Sequence, residues 1–144
     1  MGFIFGLFRK PDPERRQRLE RAVADIDREL AANLELTSVF DQTKQAVVLE
    51  NGEFIRHRVT IDSGLAAASG ALADLYARIA DTEAAMERRG PANSIRDDDR
   101  RLIETWEGDA RAVQRELRDA LARPPLSPLA ALLKRLGEVL PSRR

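Results

Sequence analysis

The 144-residue chain contains no cysteine and a single histidine. The first absence excludes a disulfide scaffold, a thiol nucleophile and any thiolate metal site. The second excludes a multi-histidine metal site within one chain, including the paired Glu-x-x-His signature of a di-iron bundle. Aromatic residues make up only 5%, which argues against an aromatic-rich β-sandwich core. There is no net charge, with 24 basic residues against 24 acidic ones. No apolar run approaches the ~20 residues needed to span a bilayer. Gly-rich phosphate loops, a nucleophile elbow and H-E-x-x-H are all missing. No cofactor, no small-molecule substrate and no enzymatic activity are therefore expected.

What is present is a globular composition, 43% hydrophobic and 33% charged. That is too apolar for a disordered chain and too charged for a membrane-embedded one. Neutrality hides a segregation. Residues 1–18 carry five basic and two acidic groups, and residues 123–144 carry five and one. The middle then holds 14 basic and 21 acidic groups, a net −7 between ends of +3 and +4. An acidic centre repels phosphate backbones, so no nucleic-acid partner is expected.

Hydrophobic periodicity predicts three long helices. Pro11-Asp12-Pro13 reads as an N-cap followed by proline at the first helical position. Leu19, Val23, Ile26, Leu30, Asn33, Thr37 and Phe40 then recur at spacings of four and three, a coiled-coil-like seam. Asn33 is a polar residue on that seam, of the kind that sets register. A second seam runs through Leu65, Ala68, Leu72, Leu75, Ile79, Thr82 and Met86, in a helix expected from Asp62-Ser63 to Arg89 and stopped by Gly90-Pro91. A third follows an expected cap at Asn93-Ser94 and uses Ile95, Leu102, Trp106, Ala110, Val113, Leu117 and Leu121. Residues 44–62 are ambiguous. Asn51-Gly52 suits a hairpin turn, but a lone two-stranded ribbon is marginal. An extended connector at Ala46–Leu49 with a short helical turn near Glu53–Arg58 is preferred.

These patterns imply an all-α fold: three long antiparallel helices in a bundle over residues 13–122, a short apolar arm over 1–12, and a proline-rich linker with an amphipathic helix over 123–144. Leu30-Ala31-Ala32-Asn33-Leu34 through Phe40, Leu49–Phe54 and Ala73-Asp74-Leu75-Tyr76 carry a resemblance. The stretch 19–89 resembles a loosely defined class of prokaryotic helical-hairpin domains that often adjoin an N-terminal membrane segment. The resemblance implies a helical hairpin with an irregular connector and no activity. This chain departs from that pattern in having a short apolar arm where a spanning helix would sit.

That arm is the leading candidate contact. On a helix, Phe3, Ile4, Phe5, Leu7 and Phe8 would cover about 200° of arc, with Arg9 and Lys10 at the end where cations suit the helix dipole. At roughly 25 cal/mol per Å², hiding those five groups from water is worth several kcal/mol. A membrane interface would do so, with the basic residues meeting anionic headgroups. Packing on the bundle, on a twin subunit or in a partner protein would do so too. The C-terminal segment places Leu129, Leu132, Leu133, Leu136 and Leu140 on one stripe, suited to the bundle or a partner groove. The expected partners are thus a membrane surface and the chain itself or another protein. The apolar run precedes its basic residues, the reverse of a signal peptide, so a cytoplasmic location, at the inner face of the membrane, is expected.

Three further features read as structural. His57 lies between Arg56 and Arg58 with no serine, threonine or carboxylate tied to it by a recognised spacing, and is expected on the surface or in the connector. Asp97-Asp98-Asp99 lacks the alternating ligands and glycine of a calcium loop. It fits the first turn of a helix, with Ser94-x-x-Asp97 close to a capping box. Trp106 and Tyr76 are expected as core aromatics.

Overall fold

The computed structural model describes residues 12–123 and Leu136. Phe3–Lys10, Leu129, Leu132, Leu133 and Leu140 lie outside the described residues, while Leu136 is helical and 46% exposed. The described chain is all-helical, with no strand. Helix α1 spans Pro13–Thr43, α2 Gly52–Gly64, α3 Ala66–Ala77, α4 Ile79–Glu87 and α5 Asp97–Ala122, with a 3-10 turn at Pro91–Asn93 before α5. No helix among the described residues is long and apolar enough to cross a membrane.

Helix α1 begins as its sequence dictates. Asp12 Oδ1 accepts the Glu14 amide at 3.0 Å, and Pro13 fills the position whose N–H has no intrahelical partner. The helix ends at Lys44, which adopts a left-handed conformation (φ 60°) and donates its amide to the Phe40 carbonyl.

The partners of α1 are readable from its side-chain bonds. Arg15 reaches the Ser63 carbonyl, and Glu29 meets the start of α2, so α2 runs back along α1. Arg16 bonds the Leu121 carbonyl, Gln114 the Asp27 carbonyl, and Thr37 meets Glu107, so α5 is also antiparallel to α1. Trp106 touches Leu75, and Arg88 touches Asp99, which sets α3 and α4 against α5 in the opposite sense. All seven residues of the first seam are buried. So are six of the second, Leu65 being partly buried, and Ile95, Trp106, Ala110, Val113 and Leu117 of the third. In the third seam Ile103 is buried in place of Leu102.

Four local expectations are corrected. The helix expected over 62–89 is three pieces: α2 ends at Gly64, Leu65 leaves helical geometry, and Arg78 (φ −88°, ψ 0°) separates α3 from α4. The apolar period continues across Arg78, which is why the sequence pattern does not register the break. The short turn expected at Glu53–Arg58 is a 13-residue helix, and residues 44–51 form an irregular connector. Ser94 does not cap α5. Its hydroxyl donates to the Pro91 carbonyl, and the N-cap is Arg96 without a side-chain bond. The three aspartates do occupy the first turn of α5, but Asp99 is turned inward onto Arg88 (2.7 Å), so its role exceeds capping. The fourth correction, at His57, concerns the site.

Candidate functional site

A polar seam between α1 and α2 gathers Asp25, Glu29, Asn33, Glu53 and His57. It starts with α1. Glu29, one turn below Asn33, is 6% exposed although charged. A buried carboxylate is tolerated only when its oxygens are saturated by donors. Here Glu29 Oε2 accepts the Glu53 amide at 2.7 Å, and Oε1 accepts the Phe54 amide at 3.2 Å and the Tyr76 hydroxyl at 2.9 Å. Glu53 and Phe54 are in the first turn of α2, whose own N-cap residue Asn51 makes no side-chain capping bond. Glu29 therefore caps α2 from another helix, placing a negative charge at its positive end.

The connector is held in the same manner. The Asn33 amide donates to the Glu50 carbonyl at 2.8 Å and accepts the Glu50 amide at 2.7 Å. Glu83 Oε2, from α4, accepts the Leu49 amide at 2.9 Å. These side chains give the backbone of 49–54 the partners that a second strand would have supplied. Asn33 thus anchors a connector within its own chain.

Tyr76 is buried, and its phenol is held in the protonated form: burial raises its pKa first, and then the hydrogen bond to Glu29 and the charges of Glu29 and Glu53 raise it further. Its ring stacks on Phe54 (centroids 4.3 Å apart, planes at 11°), and the Arg58 guanidinium lies 5.8 Å over the other ring.

One turn down from Glu29 lies the feature that sequence spacing did not reveal. His57 is not a free surface residue: its side chain is 12% exposed, and Nε2 lies 2.9 Å from Asp25 Oδ2 and 3.3 Å from Glu53 Oε2. Glu53 stands four residues before His57 on α2, a helical neighbour visible in the sequence. Asp25 is 32 residues away and arrives only because α2 folds back on α1. The other oxygens are taken by arginines, Asp25 Oδ1 by Arg28 at 3.3 Å and Glu53 Oε1 by Arg56 at 3.4 Å. Asp25, Glu53 and His57 are the one group among the described residues whose ligand atoms all lie within 4.8 Å, as a metal ion requires. A groove of about 580 Å³ is lined by Asp25 and Glu53, together with Arg28, Glu29, Glu50, Asn51 and Arg56; His57 does not line it.

No known protein family, characterised protein or solved structure matches this chain.

Proposed function

We propose that the chain is a non-catalytic helical scaffold: a three-helix bundle whose apolar arm, Phe3–Phe8, seats on the cytoplasmic membrane surface. The carrying observation is the segregation along the sequence. Five large apolar residues and a basic cluster stand at one end of a chain whose centre is net acidic. An acidic body is repelled by an anionic leaflet, whereas the arm is drawn to it at about 1 kcal/mol per basic residue near the surface. The non-catalytic part of the reading is supported by how the buried polar groups are used. Glu29, Asn33 and Glu83 each hold backbone amides, and the Thr37 hydroxyl donates to Glu107, so none of these is left free to act on a substrate.

Flotation with vesicles containing anionic lipid tests the reading. The full chain is expected to float with the vesicles, more weakly as salt rises, and a chain lacking residues 1–10 is expected to remain in the soluble fraction. Equal behaviour of the two overturns it.

A second reading is an oligomeric interaction protein whose apolar arms pack between copies. One observation favours it: Ile55 and Val59, one turn apart on α2, are 65% and 79% exposed. Paired exposed β-branched residues on one helix face suit a contact with another chain. Light scattering separates the two readings, since removal of 1–10 or 126–144 lowers the assembly state only in the second.

A further inference from the structure

We propose that Asp25, Glu53 and His57 form a binding site for one first-row divalent transition ion of the Zn²⁺ type, fastening α2 to α1. The inference goes beyond the scaffold reading and does not depend on the arm.

Both carboxylates approach the one imidazole nitrogen at ligand-like separations, and all three ligand atoms lie within 4.8 Å of one another. At metal–ligand bonds of about 2.0–2.2 Å, neighbouring ligands of a tetrahedral or octahedral ion stand roughly 3 Å apart. His57 Nε2 stands 2.9 Å from Asp25 Oδ2 and 3.3 Å from Glu53 Oε2. Without an ion the arrangement is short of protons. Nε2 carries at most one, and its hydrogen bond goes to Asp25. Glu53 Oε2, though close to the same nitrogen, is shielded from solvent and has no hydrogen-bond partner. A buried carboxylate oxygen without a donor costs free energy. A cation between the three atoms would satisfy it together with Asp25 Oδ2 and the nitrogen lone pair.

The surroundings are built as metal sites are. Each ligand carboxylate has its second oxygen fixed by an arginine of its own helix, Asp25 by Arg28 and Glu53 by Arg56, which orients the free oxygen inward. The backbone of Glu53 is fixed as well, by its amide bond to Glu29. One imidazole and two carboxylates suit Zn²⁺ and its first-row neighbours better than Mg²⁺ or Ca²⁺, which prefer all-oxygen shells. The three side chains supply three ligand atoms, so water would have to complete the shell.

The composition makes the test unambiguous. His57 is the only histidine and there is no cysteine, so in a tag-free full chain the imidazole ring protons form a single pair of proton NMR signals. Titration with Zn²⁺ is expected to move both signals and to saturate at one equivalent, with a large excess of Mg²⁺ unable to compete. Asp25→Asn and Glu53→Gln are expected to weaken binding at least about tenfold, and His57→Gln to abolish it, as followed by isothermal titration calorimetry. The indole N–H of buried Trp106, bonded to the Leu75 carbonyl, reports whether each variant is folded. Ring signals of the unaltered chain that stay in place under excess Zn²⁺ overturn the proposal. So does calorimetric binding that is equally strong in a folded His57→Gln variant.

Discussion

Asn33 and Glu50 form a closed pair: the side-chain amide of one bonds both the carbonyl and the amide of the other's backbone, at 2.8 and 2.7 Å. Asn33 is fully buried, whereas Glu50 is exposed, so the pair ties the outer connector to the interior of α1. Asn33→Ala is expected to lower stability by roughly 2–4 kcal/mol, since it leaves a backbone donor and acceptor of Glu50 without partners. Asn33→Asp should cost more, because it removes the donor and buries a charge. Chemical denaturation of the two variants against the parent checks both the size and the order.

Glu29 carries three bonds, and its variants should separate them. Tyr76→Phe removes one donor and leaves the α2 cap in place, an expected loss of about 1.5–3 kcal/mol for a hydrogen bond to a charged group. Glu29→Ala removes the cap and all three bonds and is expected to cost more than Tyr76→Phe. Amide hydrogen exchange should then accelerate at Glu53 and Phe54 in Glu29→Ala, and much less in Tyr76→Phe.

Glu107, 7% exposed, is held above its ordinary pKa, by burial first and by the nearby charge of Asp41 second, with the Thr37 hydroxyl and Arg111 opposing. The fold therefore binds this proton more tightly than the unfolded chain does. The associated stabilisation is complete below the ordinary carboxyl value of about 4.3 and is lost as pH rises through the elevated folded value. Above that value the fold holds the ionised form less favourably than the unfolded chain does. Glu107→Gln keeps the shape, and its amide can donate to Thr37 Oγ, which frees the single proton of that hydroxyl for the Leu34 carbonyl, 3.0 Å away. The variant is expected to be more stable than the parent at pH 7, by on the order of 1 kcal/mol. The advantage should shrink towards pH 4 in melts run across that range.

Trp106 sits at the break between α3 and α4. It is fully buried, and its indole N–H donates 3.0 Å to the Leu75 carbonyl, within the last turn before Arg78. Trp106→Phe removes that donor and leaves a void, with an expected loss of about 2–4 kcal/mol. A thermal melt measures the loss. Faster amide exchange around Arg78, if confined there in the variant, would identify the indole as the group that secures the break.

Much of this fold is legible along the chain. The three seams identify the buried face of each helix because a spacing of three and four returns to the same side every turn. The cap at Asp12-Pro13 is local chemistry within one turn. The pattern is silent where one helix's side chain serves another's backbone. Asn51-Gly52 carries a hairpin signal, yet the structure answers the flanking backbone amides of Leu49, Glu50 and Glu53 with Glu83, Asn33 and Glu29, residues 17 to 34 positions away. The break at Arg78 is hidden for another reason: its apolar period is undisturbed, so nothing in the composition marks it. Ser94 has a capping residue's chemistry but gives its hydroxyl to Pro91 instead.

The candidate site divides along the same line. Glu53 and His57 are one helical turn apart, so their meeting needs nothing beyond α2 itself. The sequence therefore determined two of the three members of the cluster, together with the helical seams, the acidic centre and the apolar arm. Asp25 joins them only when α2 folds back on α1, and that return depends on Glu29 and Asn33 fixing the connector between the two helices. Spacing along a chain reports neighbours within a helix; it carries no information on which side chain a second helix will bring across the gap, because that depends on packing between elements.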